Sequence, residues 1–330
     1  MGDLSQILFV ITIALSLSYA FANGLNDAAN ALATVVGTRV LSPAHAVILG
    51  GTMNLVGALS GTAVAKTIGK GIVDPTYMTQ AATMAAILAA VLWVVFATRY
   101  GLPVSVSHSL VAGVLGAGIA AAGISRINET VVTKVLLALA FSPILGLAGA
   151  FILMLIIYWM FRNRNASRLN LSFSKLQILS AAFLSYSHGK NDAQNAIGIM
   201  ALGLAVYASQ DVTVELWMQI SCGIAIGIGT CLGGWRVINT LGSRVTKLTP
   251  ASGFVANTAA ASVIELASLI GLPVSTTHTS SSAITGVGVT RGIFAVRWNV
   301  VKSILGAWVI TYPICMFLGW VLAKLMGSIF

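Results

Sequence analysis

The chain has 330 residues, 57% hydrophobic and only 8% charged, with a formal net charge of +10. A soluble domain carries about 25% charged residues, so the composition excludes a water-soluble enzyme, and the basic excess is expected at the ends of membrane segments rather than on nucleic acid. Cys222, Cys231 and Cys315 lie in apolar stretches without metal-ligand spacing, which predicts neither disulfides nor zinc.

A membrane-spanning helix needs about 20 mostly apolar residues. The first apolar run, near 4–22, has no basic leader and opens directly into a polar motif, so it is expected to be the first membrane helix rather than a cleaved signal. Four further runs lie near 44–67, 78–98, 102–123 and 131–161. A polar stretch, 162–175, precedes five more near 174–187, 213–235, 251–270, 272–290 and 298–327. Two blocks recur between these sets. GLNDAAN (24–30) returns as GKNDAQN (189–195), and GLPVSVSH (101–108) returns as GLPVSTTH (271–278), at offsets of 165 and 170. The expectation is an all-α integral membrane protein of two homologous halves, 1–161 and 176–330, joined by a basic linker at 162–175. Five segments per half is an odd number, which turns the second half over in the bilayer. Two inverted-topology repeats with interrupted helices at the midplane follow.

Charge placement supports that plan. With the N-terminus outside, twelve Lys and Arg fall in inner connections and five on the outer side, Lys190 being the eighteenth. Inner connections are enriched in Lys and Arg, so the linker is expected in the cytoplasm and both termini outside the cell membrane.

Three acids remain inside the segments: Asp27, Asp192 and Glu265. An intramembrane ionisable group costs about 2.5–3.5 kcal/mol on insertion scales and marks function by default. Asn23, Asp27 and Asn30 fall at i, i+4 and i+7 on one helix face, and His188, Asp192 and Asn195 repeat the pattern. Carboxylate and amide oxygens suit Na⁺ or a protonated species, while amide N–H groups suit an oxyanion. Asn23, Asn26, Asp27, Asn191 and Asp192 are therefore the expected cation ligands, with Na⁺ at Asp27 and Asp192. Glu265 has Val95 as its repeat counterpart and is given a supporting role. Lys190 is expected to snorkel or to pair with Asp192.

The second block reads as a helix start. Proline suits the first turn of a helix, and Ser or Thr satisfies its free N–H groups. Two such starts inside a membrane form a positive-ended, hydroxyl-rich pocket for an anion, with Ser105, Ser107, Ser275, Thr276 and Thr277 as donors. His108 and His278 close the blocks and are expected to support the turn by bonding to backbone carbonyls.

GLNDAANALATVVGT, GLPVSVSHSLVAG, SHGKNDAQNAIG and GLPVSTTHTSSSAITG together resemble the inorganic phosphate transporter (Pit) family over essentially the whole chain. The resemblance implies import of inorganic phosphate by symport with Na⁺ or H⁺, without a resident cofactor. It places phosphate between the halves, on Asp27, Asn30, Ser105, Ser107, Asp192, Asn195, Ser275, Thr276 and Thr277. The implied partners are phosphate, a monovalent cation and the bilayer, and a homodimer is left open. Against the family pattern, Val106 replaces a Thr, Ala33 a Gly and Asn257 a Glu. Asn195 replaces the Lys of many bacterial proton-coupled members, which favours Na⁺. The alternatives are a permease for sulfate or another oxyanion, and an anion channel built on half-helices. No GxSxG or HExxH pattern occurs, so no enzyme is expected.

Single cysteines introduced within 162–175 are expected to be labelled by impermeant maleimide only from the cytoplasm, and cysteines near Phe330 only from outside. External labelling of the linker would contradict the inverted arrangement.

Overall fold

A helix satisfies its own backbone hydrogen bonds, so it is the natural conformation for a chain this apolar. The computed structural model describes residues 2–329. Met1 and Phe330 lie outside the described residues, as do the side chains of Gly2, Asp3, Ala166, Ser167 and Arg168, the charges of Asp3 and Arg168 among them. The first half contains α1 (Gly2–Gly37), α2 (Pro43–Ala58), α3 (Ala63–Lys66, continued by a π-helical turn, Thr67–Gly71), α4 (Gln80–Tyr100), α5 (Val106–Ala122) and α6 (Glu129–Phe161). The second contains α7 (Ala166–Ala208), α8 (Leu216–Leu232), α9 (Trp235–Asn239, continued by a π-helical turn, Thr240–Arg244), α10 (Pro250–Leu269), α11 (Thr276–Val289) and α12 (Trp298–Ile329).

Several boundaries differ from the sequence reading, the segment expected at 174–187 running on to Ala208 and the one expected at 44–67 breaking after Ala58. The helix expected at 4–22 runs on through the first polar block to Gly37, because buried backbone leaves the block no other way to satisfy its amides. The polar stretch 162–175 is non-helical only at 162–165, and the rest opens α7. Hydropathy measures apolar length, not helix length, and no Gly or Pro occurs between 166 and 188 to stop the helix.

Among the described residues five helices, α1, α4, α6, α10 and α12, are long and apolar enough to cross a membrane, or up to seven spans if each bent pair counts as one. The bent pairs are α2 with α3 and its π turn, at 64°, and α8 with α9 and its π turn, at 61°. Other devices also occur once in each half. Pro143 sits inside α6 and Pro313 inside α12. Isolated bridges join Val73 to Ile127 and Thr246 to Val296.

α1 and α7 occupy the centre. Tyr19, Ala20 and Ala22 of α1 share one apolar core with Ala193–Leu202 of α7, while Ala28–Val35 of α1 share a second core with Phe173, Ala181 and Leu184. The two helices thus lie antiparallel, and their polar blocks fall between the cores. Outside, Phe141, Ile144, Ile152, Val309 and Phe317 expose large apolar side chains along α6 and α12. At roughly 25 cal/mol per Å² such a surface is costly in water, and it is the lipid face.

The first glycine of each polar block permits backbone contact. A Cβ on Gly24 would lie 2.1 Å from the Ile226 carbonyl oxygen of α8, and one on Gly189 would lie 2.1 Å from the Asn54 carbonyl oxygen of α2. Small residues at such crossings let membrane helices approach closely. Gly189→Val is therefore expected to cost about 3 kcal/mol or more, the upper end of overpacking, because the obstacle is backbone. Gly306→Val, with nothing within 4 Å, is expected to change stability by less than about 1 kcal/mol. Thermal unfolding of the two variants in one detergent checks the difference.

Candidate functional site

Asp27 and Asp192 are buried between the two cores at 2% and 1% exposure. His188, one turn before Asp192 on α7, stands between them, its Nε2 3.7 Å from Asp27 Oδ2 and 3.4 Å from Asp192 Oδ2. The ligand atoms of the three residues lie within 4.8 Å of one another, close enough for one small ion to touch all three. Among the described residues neither aspartate pairs with Lys or Arg.

The imidazole is oriented from its far side. Asn54 Nδ2 donates to Thr230 Oγ1 at 2.8 Å, and Thr230 donates its own hydrogen to the Ile226 carbonyl at 2.9 Å, which turns Asn54 Oδ1 toward His188. His188 Nδ1 lies 2.8 Å from that oxygen and so carries the hydrogen. A bare lone pair on Nε2 would face two carboxylate oxygens and repel both. A proton or a metal cation between them removes the repulsion.

Helix starts supply the other wall. Gly101 and Gly271 adopt φ values of +70° and +73°, a left-handed conformation that glycine takes without steric cost. They turn α4 and α10 into the extended segments that lead to α5 and α11. Ser105 and Ser275 are the N-caps, accepting from the backbone N–H of His108 and His278 at 3.1 Å in each case. Both helices therefore begin inside the protein, with Val106, Ser107, Thr276 and Thr277 about 1% exposed. Thr277 donates to Asp27 Oδ1 at 2.8 Å, and the Thr276 hydroxyl lies 3.2 Å from Asp27 Oδ2 and 3.0 Å from Asp192 Oδ2. One residue of α11 thus bridges the carboxylates of α1 and α7.

The amides follow two patterns, each repeated. Asn30 donates to Thr277 Oγ1 at 3.2 Å, and Asn195 donates to Ser107 Oγ at 2.9 Å, so each motif helix reaches the helix start of the opposite half. Asn26 donates to Thr98 Oγ1 at 2.8 Å and to the Leu102 carbonyl at 3.4 Å, and Asn191 does the same to Ser268 Oγ at 2.8 Å and the Leu272 carbonyl at 3.2 Å. Asn23 reaches Asp192 Oδ2 at 3.4 Å. Among the described residues, Asn23 Oδ1, Asn30 Oδ1, Asn195 Oδ1 and Asp192 Oδ1 are buried without a hydrogen-bond partner. All four are acceptors, and a cation satisfies acceptors.

The structure brings Asn23, Asp27, Asn30, Ser107, Asp192, Asn195, Thr276 and Thr277 together. Other expected roles change. Asn26 and Asn191 turn away from the aspartates and tether the extended segments, because a helix neighbour one position from Asp27 or Asp192 projects about 100° around the axis. Ser105 and Ser275 each use an oxygen lone pair on a cap and keep the hydroxyl hydrogen for another acceptor. His108 and His278 do not bond backbone carbonyls through their rings. Their rings meet at a tilt of 31°, 4.5 Å between centroids, and His278 stacks on Trp308 at 3.7 Å. Lys190 pairs with Glu265 rather than Asp192. It lies two residues before Asp192, which places it on the other side of α7. Glu265 therefore stays outside the cluster.

His188 was legible as a member of the helix face, but no role for it was. Its role depends on Asn54, which carries no local signal. Gln194 was missed altogether: its Oε1 accepts from the backbone N–H groups of Val64 and Ala65 at 2.8 and 3.1 Å, capping the start of α3.

With this geometry in place, three comparisons bear on the chain. The sequence profile of the "Phosphate transporter family" matches twice, over residues 23–172 and 162–319. The chain is 42% identical to a Bacillus subtilis protein named "Probable low-affinity inorganic phosphate transporter", over 99% of this chain and 100% of that one. It is also 42% identical to a Rhizobium meliloti protein of the same name, over 93% and 92%. A solved structure, "The sodium-dependent phosphate transporter", superposes with a TM-score of 0.92 at 27% identity, over 98% of this chain and 100% of that chain. The double profile match and these relatives place the chain in the phosphate transporter family, a family of membrane carriers rather than enzymes.

Proposed function

We propose that this protein imports inorganic phosphate by symport with Na⁺, across the cell membrane, through two inverted halves that meet at the aspartate cluster. The observation that carries the reading is the bridge of Thr276 between Asp27 and Asp192, with His188 Nε2 facing the same two oxygens. The solved relative, sodium-dependent by name, supports Na⁺ as the coupling ion.

The mechanism follows from charge. Phosphate near neutral pH brings one to two negative charges to a site that already holds two buried carboxylates. In a low-dielectric interior that crowding is strongly unfavourable unless cations enter with the anion. Lys190 is committed to Glu265, so the positive charge comes from solution. Na⁺ is held by Asp27, Asp192 and the unpartnered amide oxygens of Asn23, Asn30 and Asn195, hard ligands that suit it. Phosphate is held by the first-turn N–H groups of α5 and α11 and by the hydroxyls of Ser105, Ser107, Ser275, Thr276 and Thr277. Coupling is then a condition of occupancy. A protonated phosphate oxygen can also donate to an aspartate, which sulfate at neutral pH cannot do, and a site built on that bond rejects the analogue lacking it.

Proton coupling is the second reading, and His188 favours it: a hydrogen on Nε2 would face both carboxylates as well as a metal ion would. Uptake of radiolabelled phosphate into proteoliposomes, with Na⁺ and pH gradients imposed separately, distinguishes the two. An inward Na⁺ gradient alone is expected to drive accumulation, and a pH gradient alone is not. Asp27→Asn and Asp192→Asn are each expected to abolish gradient-driven uptake and to weaken discrimination against sulfate. Wild-type uptake with unchanged cation dependence in both variants would make the aspartates structural.

A further inference from the structure

Outside the aspartate cluster, a groove of about 620 Å³ lies between α1, α4 and α8, lined by Leu17, Phe21, Leu25, Val95, Ala225 and Ile228. Ala22, Leu25 and Val95 also line a second hollow of about 420 Å³, which continues to Thr98, Arg99, Trp235 and Arg236. Val95, Ile224 and Ile228 on the rim are exposed, so the groove opens to the lipid face. Its occupant must come from the bilayer and present a hydrocarbon chain.

The end of the groove specifies the other part of that occupant. Arg236 donates to the Arg99 carbonyl at 2.6 Å, which fixes its guanidinium at the C-terminus of α4 with N–H groups to spare. Arg99 and Arg244 form no side-chain hydrogen bond or ion pair among the described residues. Arg244 and Arg236 also line one further hollow with Tyr100 and Trp235. No acid lines any of these three hollows. Exposed Trp235 and Tyr100 set the depth of this end at the membrane–water boundary, where aromatic side chains collect.

The second half provides an internal control. Leu25 and Val95 correspond to Lys190 and Glu265, which meet as an ion pair. Arg99 and Tyr100 correspond to Leu269 and Ile270, and the place of Arg236 on the bent pair is taken by Ala63. The counterpart groove is thus polar along its floor and apolar at its end, the reverse of the first. Duplication alone would have left the two alike.

We propose that the α1–α4–α8 groove is a binding site for an anionic glycerophospholipid, its acyl chain along Leu17–Leu25 and its phosphodiester at Arg99 and Arg236. Basic pockets between membrane helices on the cytoplasmic side bind anionic headgroups, and the orientation read from the Lys and Arg distribution puts this end in the cytoplasmic leaflet. The site is separate from the aspartate cluster: neither hollow is lined by Asp27, His188 or Asp192.

The test is retention of lipid by the purified full-length chain in detergent, counted by native mass spectrometry against added phosphatidylglycerol or phosphatidylcholine. The wild type is expected to retain phosphatidylglycerol preferentially, with the preference falling as salt rises. Arg99→Gln, which leaves the Arg236 bond to the Arg99 carbonyl in place, is expected to lower that retention roughly fivefold, and Arg99→Lys to restore it. Ala225→Phe fills the groove without touching the arginines and is expected to abolish retention. Unchanged melting in detergent shows that each variant is folded, and millimolar inorganic phosphate is expected not to displace the lipid. Equal retention of the two lipids by the wild type would overturn the proposal, as would phosphatidylglycerol retention insensitive to both Arg99→Gln and Ala225→Phe. So would disulfide cross-linking of two chains through groove cysteines in the bilayer, since a second copy would then fill the groove.

Discussion

Everything in this protein is arranged around two carboxylates held in the middle of a membrane. A single ionised group there is costly, and two within reach of each other cost more. The fold responds by surrounding Asp27 and Asp192 with hydrogen-bond donors, Thr276, Thr277 and Asn23, and by setting the Nε2 of His188 against both. Those groups are themselves fixed by Asn54, Thr230 and Asn30. The result inverts a soluble protein, with amides, hydroxyls and acids inside and Phe, Ile and Val outside. Two apolar cores hold the polar layer between them, and α1 and α7 each belong to both.

How much of this the sequence could reveal depended on distance. Asp27, Asn30, Asp192 and Asn195 were legible because helical periodicity is local, so spacing of four and seven fixes a common face. The helix starts at Ser105 and Ser275 were legible for the same reason, since Gly, Pro and Ser form a short-range signal with a known backbone consequence. The recurrence of the two polar blocks was legible because it is a matter of residue identity at a fixed offset. Asn26 and Asn191 adjoin the aspartates in sequence but bond Thr98 and Ser268 instead, because successive helical residues diverge by about 100°. The rings of His108 and His278 meet only because α5 and α11 start opposite each other. The Lys190–Glu265 pair forms only because α7 packs on α10. Neither has a one-dimensional trace.

The repeat is close but unequal, and the inequality is chemically ordered. Where the halves face each other across the aspartates they keep equivalent contacts, as Asn30 with Thr277 and Asn195 with Ser107 show. The His188 position, Asn23 in the first copy, departs, and it departs at the centre of the cluster. A pseudo-symmetric site with one imidazole has a distinguishable side. Away from the centre the halves separate further, to an ion pair in one groove and arginines at the end of the other.

The reach of Thr276 also bears on how the chain is made. Asp27 and Thr276 are 249 residues apart, and at about 5–20 residues per second a ribosome takes roughly 12–50 s to cover that interval. During this time α1 must enter the bilayer without the hydroxyls that later bond its carboxylate, and His188 arrives only part of the way through. Biogenesis therefore includes a long-lived intermediate in which the acid at the future centre of the polar cluster still lacks its partners. Such a helix must be sheltered by the insertion machinery, or inserted with its acid neutralised, until α11 is synthesised.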